Sequence, residues 1–249
     1  MVILVVGAGH PDNMGHAIAQ SFDMGNNVMV TDADLRIPTG TESGFRHVWP
    51  MDVTDYVSIC KVMETIHMVY GRLDAIVNCA GVNLLGAVDD YPEQCWDKTI
   101  DVNLKGTFLL VKAYVNYFSH QAGTKHYVVI GSNTAYVAKT RTFAYGASKA
   151  GLTHLIRCLA RELAPRKFAL TSLDIGAVEG TPMDQKTRAD LVAQRGGTPE
   201  SWNELLTRNI PWGRMATARE VADWVKFIIE KGEFATGCNI RVDGGQQQG

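Results

Sequence analysis

Short runs of branched apolar residues recur along the chain, and between them lie stretches in which apolar side chains return every three to four positions. Val2-Ile-Leu-Val-Val6 is apolar without alternation, the pattern of a central parallel strand buried on both faces. Similar runs predict strands at Val28 to Thr31, Phe45 to Trp49, Leu73 to Val77, Tyr127 to Ile130, Ala169 to Ile175 and Asn239 to Val242. Helical spacing intervenes at His16 to Phe22, at Tyr56 to Tyr70 behind a cap near Asp55, at Pro92 to His120, at Tyr145 to Ala164 and at Ala218 to Glu230. Strands alternating with helices and joined by short turns predict an α/β fold, a doubly wound parallel sheet of about seven strands with helices on both faces. No break in composition divides it, so residues 1–249 are expected to form one domain. The turn-rich residues 37–44 read as a surface excursion within that domain.

Composition narrows the function classes. With 249 residues, 46% of them hydrophobic and 20% charged, the chain is long enough for one large core. A net charge of −2 gives no electrostatic reason to expect nucleic acid or an anionic membrane as a partner. Val2 to Val6 is too short for a signal peptide and has no basic stretch before it, and no apolar run approaches the ~20 residues of a membrane span. The five cysteines are scattered without a C-x-x-C pair, which suits reduced thiols in a cytoplasmic setting better than disulfides or a zinc site. No metal site is expected.

In a doubly wound sheet, ligands collect at the carboxyl ends of the strands. Five loops are predicted there: Gly7 to Gly15, Asp32, Asn78 to Gly81, Ser132 and Gly176. Glycines between a strand and a helix let backbone approach a pyrophosphate at the helix N-terminus. Asp32 lies 25 residues beyond Gly7, near the ~20-residue separation of a ribose-binding acid, and a carboxylate there favours NAD over NADP. Arg36, just past it, is able to pair with a 2′-phosphate and keeps the other cofactor open. Tyr145 and Lys149 stand four residues apart and share one face of a helix. A lysine charge beside a phenol favours the phenolate, so the tyrosine can exchange a proton with an alcohol or carbonyl.

The ordered series of the glycine loop, Asp32, Asp52-Val53, Asn78-Cys-Ala-Gly81, Asn103, Ser132, Tyr145 with Lys149, Gly176 to Thr181 and Val242-Asp-Gly-Gly245 resembles the short-chain dehydrogenase/reductase family, in its single-domain branch of about 250 residues. The resemblance runs from Val2 to Gly245, and Ser132 precedes Tyr145 by the 13 residues usual in that family. It implies a Rossmann-type sheet and NAD-dependent interconversion of a secondary alcohol and a ketone. Tyr145 would be the general acid/base and Ser132 would fix the substrate oxygen. Lys149 would lower the tyrosine's pKa and hold the nicotinamide ribose, while Asn103 would continue a proton relay to solvent. Gly7, Asn13, Met14 and Gly15 would line the phosphate turn, and Asp52 and Val53 would touch adenine. Asn78, Ala80 and Gly81 would form the wall near the ribose, and Gly176, Val178 and Thr181 the far side of the cofactor. A homotetramer or homodimer is implied as well.

The chain departs from the family at two places. Gly15 follows Gly7 by eight positions, with Val6 where a threonine is usual and Asn13 in place of the middle glycine, and Ile175-Gly176 replaces Pro-Gly. An expanded glycine loop also occurs in related enoyl reductases, so an enoyl- or 3-oxoacyl-type reductase is the nearest alternative. Those enoyl enzymes, however, place six residues between tyrosine and lysine, and three stand here. A non-catalytic NAD-sensing regulator is the alternative from another class, although such proteins typically lose the tyrosine or lysine. Residues 183–210, rich in Gln, Arg, Gly and Thr, are expected to cover a substrate. Asn83, Asn133, Thr134, Tyr136, Glu179 and Trp202 are expected to face the pocket, a polar set that suits a small hydroxy or keto compound such as a polyol or sugar derivative.

Overall fold

In the computed structural model, which describes residues 1–22, 25–37 and 45–246, each apolar run becomes a strand of one sheet. The strands are β1 (Val2–Val6), β2 (Asn27–Asp32), β3 (His47–Pro50), β4 (Ala75–Asn78), β5 (Lys125–Ser132), β6 (Phe168–Ile175) and β7 (Asn239–Val242). They lie in the order β3-β2-β1-β4-β5-β6-β7, and every pairing is parallel. The chain therefore runs outward from β1 to β3 and then returns to start the other half at β4. Where the order reverses, the loops after β1 and β4 diverge and leave a crevice between them.

Parallel neighbours need a crossover connection, and helices supply it. α1 (Met14–Ser21) and α8 (Ala218–Lys231) cover one face, while α2 (Tyr56–Tyr70), α4 (Gly106–Phe118) and α5 (Phe143–Leu163) cover the other. Successive side chains of one strand feed both layers. Ile3 and Val5 pack with Ile18, Phe22 and Val225, whereas Leu4 and Val6 pack with Ile59, Leu110 and Leu152. That double burial is the reason β1 reads as an unbroken apolar run.

Local chemistry sets the element ends. The Asp55 side chain accepts the Val57 amide at 2.9 Å and caps α2, which stops at Gly71 in the left-handed region at φ +63°. β3 begins at His47, two residues later than expected, because Phe45 turns inward against His16 with ring centres 5.0 Å apart. Of the excursion at 37–44, all but Ile37 lies outside the described residues.

Three elements differ from expectation in ways that matter for the site. The helical stretch after Pro92 is broken into α3 (Glu93–Ile100), a wide π turn at Asp101–Lys105 and α4. Such turns are frequent at functional sites, and Asn103 occupies this one. β5 extends through Gly131 and Ser132, since all eight of its residues pair with β6. Residues 183–210 are two helices, α6 (Pro182–Arg195) and α7 (Pro199–Arg208), each capped by a threonine and opened by proline. Among the described residues, no helix is long and apolar enough to cross a membrane.

Candidate active site

A crevice of about 1060 Å³ opens at the carboxyl ends of β1, β2, β4, β5 and β6. Gly7, Asn13, Met14, Gly15, Asp32, Asp52, Val53, Ala80, Gly81, Ser132, Tyr145, Lys149, Gly176, Val178 and Thr181 all line it. Asn78 and Asn103 do not.

The glycine loop is built for close backbone approach. Gly7 sits at φ +76°, and a Cβ there would lie 2.6 Å from the Ala80 nitrogen. A Cβ on Gly9 would lie 2.5 Å from Asp32 Cβ. Asn13 takes over the work of the missing middle glycine in another way. Its Nδ2 donates to the Gly7 carbonyl at 3.1 Å while its Oδ1 accepts the His16 amide at 2.7 Å, so one side chain both closes the loop and caps α1. The next two amides, at Met14 and Gly15, open α1 and have no carbonyl one turn back. Both residues line the crevice, and a pyrophosphate is an anion of the kind such a helix end accepts.

At the β2 end, Asp32 Oδ2 accepts the Gly9 amide at 2.9 Å and Oδ1 accepts the Asp34 amide at 3.2 Å. Each carboxylate oxygen keeps a second lone pair, so ribose hydroxyls have acceptors here. Asp34 also lines the crevice, a residue the sequence reading passed over. Arg36 turns to it, with Nε 3.0 Å from Asp34 Oδ2. Asp52 accepts both the amide and the hydroxyl of Thr54 at 2.8 Å, and Val53 packs against Gly106. A dinucleotide therefore fits the residues present: backbone amides for its phosphates, carboxylates for a ribose and an apolar slot beside Val53.

Tyr145 and Lys149 stand on successive turns of α5, and β5 delivers Ser132 beside them. The Ser132 hydroxyl neighbours the Tyr145 phenol closely enough to pull its pKa down, and its Oγ accepts the amide and the hydroxyl of Thr134, at 3.2 and 2.9 Å. Lys149 Nζ donates to the Ile130 carbonyl at 2.8 Å and lies 5.6 Å from the Tyr145 ring centre. Burial pushes the Tyr145 phenol up to about 12, against which the Ser132 hydroxyl pulls down. Burial outweighs the acidification expected from the lysine. The same burial brings Lys149 down to about 8, because a desolvated ammonium is disfavoured as a desolvated phenolate is.

The two asparagines hold the frame. Asn103 accepts the Val82 amide at 2.8 Å and donates to the Val82 carbonyl and to Ser148 Oγ at 2.9 and 3.0 Å. Both hydrogens of its side-chain amide are used, so a relay through that amide has no free donor. Asn78 donates to Thr107 Oγ1 and the Tyr127 hydroxyl, both at 3.1 Å, and accepts the Ala80 amide. Its side chain is turned into the core and shapes the wall without joining it.

Of the residues expected at the pocket, Asn83, Asn133, Thr134 and Trp202 line the crevice. Tyr136 and Glu179 do not, and the Tyr136 hydroxyl instead reaches Asp174. Asn83 Oδ1 is buried without a partner, an acceptor at the crevice wall suited to a ligand's donor. Among the described residues, no cluster of His, Cys, Asp or Glu is able to hold a metal ion.

Residues 7–247 match the family model described as Enoyl-(Acyl carrier protein) reductase. The NAD-dependent glycerol dehydrogenase of Listeria innocua serovar 6a is 33% identical over 78% of this chain and 72% of its own length. The 2,3-dihydro-2,3-dihydroxybenzoate dehydrogenase of Escherichia coli strain K12 is 30% identical over 99% of this chain and 97% of its own. Among solved structures, the ligand-free aldohexose dehydrogenase of Thermoplasma acidophilum superposes with a TM-score of 0.87 at 25% identity, covering 98% of this chain and 93% of that one. With a matching family model over almost the full length, relatives above 30% identity and the sheet order described above, the chain belongs to the short-chain dehydrogenase/reductase family.

Proposed function

We propose that the chain is an NAD-dependent oxidoreductase that interconverts a small polar secondary alcohol and its ketone, with Tyr145 as general acid/base. As a family member it is an oxidoreductase of CH–OH groups that uses a nicotinamide cofactor. The observation that carries the finer reading is the meeting of Ser132, Tyr145 and Lys149 at one crevice wall, with Lys149 Nζ 5.6 Å from the Tyr145 ring centre and one turn along the same helix.

NAD, when bound, takes or supplies the hydride. The remaining steps belong to side chains. Ser132 holds the substrate oxygen, and Tyr145 removes the alcohol proton or returns it to the carbonyl oxygen. Lys149 has two ammonium hydrogens left after Ile130, enough for a pair of ribose hydroxyls. Its charge, brought near the phenolate, opposes the desolvation that holds Tyr145 high. Tyr145 and Lys149 four residues apart support the alcohol reading over the enoyl one.

NAD preference rests on Asp32 and Asp34, crevice-lining carboxylates that would repel a 2′-phosphate, and on Arg36 being paired with Asp34. Asp32→Ala is expected to weaken NADH binding by roughly 10-fold or more, the worth of one hydrogen bond to a charged acceptor, and to narrow the gap to NADPH. Fluorescence titration of both cofactors checks this, and tighter NADPH binding by the wild type would sink the preference.

α6 and α7 are proposed as the substrate cover, within a single domain. Arg141 Nη1 meets Gln194 Oε1 at 2.8 Å and Arg195 Nη2 meets Thr140 Oγ1 at 2.7 Å, latching α6 to the loop before α5. Polar Asn83, Asn133 and Thr134 beside Met183, Leu191 and Trp202 suit a polyol or sugar derivative. Exposed Trp212, Trp224 and Phe227 around α8 and β7 support assembly as a homodimer or homotetramer, and five free cysteines suit the cytoplasm.

The experiment is a panel of secondary alcohols and polyols with NAD, followed at the NADH absorbance band. Turnover of a small polar member is expected. Tight cofactor binding with no turnover of any member would favour an NAD sensor instead.

A further inference from the structure

One buried carboxylate has no part in the chemistry described so far. Asp174 stands on β6 with no exposed surface, paired in register with Gly131 of β5. A charged side chain is almost never so buried unless it is compensated. Both of its oxygens are taken: Ser172 Oγ donates to Oδ1 at 2.5 Å, and the Tyr136 hydroxyl donates to Oδ2 at 2.6 Å. Two hydroxyl donors on the two oxygens favour the ionised carboxylate.

Gly131 makes room for it, since any side chain at that position would overlap Asp174 Oδ1. The carbonyl of the same peptide unit, Ile130 C=O, is the one that accepts Lys149 Nζ. The carboxylate thus lies against Gly131 and the ammonium on the carbonyl of the preceding residue, both of them buried side chains.

We propose that Asp174 is the buried counter-charge that keeps Lys149 protonated, a positioning residue that acts on Tyr145 through Lys149 and touches neither substrate nor cofactor. The inference rests on the acid/base reading of Tyr145 and Lys149 and adds a third member beneath them. Burial lowers Lys149 to about 8, and Asp174 is the main charge opposing that fall. Burial also raises Asp174, against the Ser172 and Tyr136 hydrogen bonds and the charges of Lys149 and Arg157.

The other groups facing the pair do not replace it. The Cys79 thiol after β4 and the Tyr136 phenol are each pushed up to about 12 and stay neutral. Arg157 on α5 donates to Asn239, and Arg241, the register partner of Asp174 on β7, lies 5.7 Å from the Tyr136 ring centre. Lys149 is the member of this group whose charge changes near neutrality.

The test is Asp174→Asn, which removes the charge and keeps the shape. Lysine ¹³Cε resonances are followed against pH by NMR, with Lys149→Met identifying the signal, and the pH profile of NAD-linked turnover is recorded in parallel. The Lys149 ionisation is expected to fall by ~1 unit or more, the size of a neighbouring opposite charge, and the rising limb of alcohol oxidation to move to higher pH. A purely structural Asp174 would lower the melting temperature and leave the Lys149 titration in place, which overturns the proposal. If Asp174→Asn does not fold, Asp174→Ala, also neutral and smaller, is read by the same two outcomes. The NMR titration needs no substrate, so failure to find turnover counts against the acid/base reading alone.

Discussion

Tyr145→Phe is expected to lower kcat for alcohol oxidation by about 10²–10⁴-fold, the usual worth of a positioned general base, while NADH affinity stays within a few-fold. The substitution deletes one oxygen. The ring keeps its place on α5, and Lys149 keeps its bond to the Ile130 carbonyl. What disappears is the hydroxyl proposed to take the alcohol proton. The pH dependence has a definite sign. Oxidation uses the phenolate, so the wild-type rate rises with pH, whereas ketone reduction uses the phenol and falls through the same ionisation. Burial holds that ionisation up at about 12, and a cation brought beside the phenolate lowers it. Steady-state kcat at saturating NAD, paired with NADH fluorescence titration, checks both halves. Turnover in the phenylalanine variant within about tenfold of wild type would move the base elsewhere.

Gly131→Ala is expected to cost about 3 kcal/mol or more, a large effect for a single methyl group. Overpacking alone costs roughly 1–3 kcal/mol, and here the added carbon meets a charge. It would overlap Asp174 Oδ1 and lie 2.6 Å from Ser172 Oγ, forcing apart a short hydrogen bond that has no water to replace it. For a chain of this length that corresponds to a fall in Tm of about 6–12 °C. Thermal melts of Gly131→Ala, Asp174→Ala and the double variant form the cycle. If the overlap is the cause, the double variant recovers part of the loss and the two changes are strongly non-additive. Simple additivity would mean that the glycine is needed for some other reason.

The sheet was legible in the sequence because a strand buried on both faces shows itself without any knowledge of its partners. Val2–Val6 feeds two cores at once, and its five apolar residues say so. The crevice was legible for the same reason: glycine, aspartate and serine at strand ends are local signals. Features that depend on distant partners were not. Asn78 reads as a wall residue, and what turns it inward is Thr107 and Tyr127, 29 and 49 residues away. Asp174 reads as a polar residue in an apolar strand until Gly131 and Tyr136 are seen around it. The π turn at Asn103 leaves the helical spacing nearly intact and is invisible to periodicity. α6 and α7 bury no residue fully and so belong to neither core, although Thr181-Pro182 and Thr198-Pro199 are helix-start signals that do lie in the sequence.

The packing of α1 against α8 ties the order of synthesis to the completion of the cofactor crevice. Ile18 and Phe22, under the glycine loop, share their cluster with Val221, Val225 and Ile229 from near the other end of the chain. On a ribosome adding about 5–20 residues per second, the first helix waits on the order of 10–40 s for the last. During that interval Tyr145, Lys149 and Ser132 have all been made, yet the helix whose amides would receive a phosphate has no floor. A nascent chain halted before residue 218 is therefore expected to carry the whole proton-transfer chemistry, to lack the seat for the dinucleotide and to present the apolar face of α1 to chaperones.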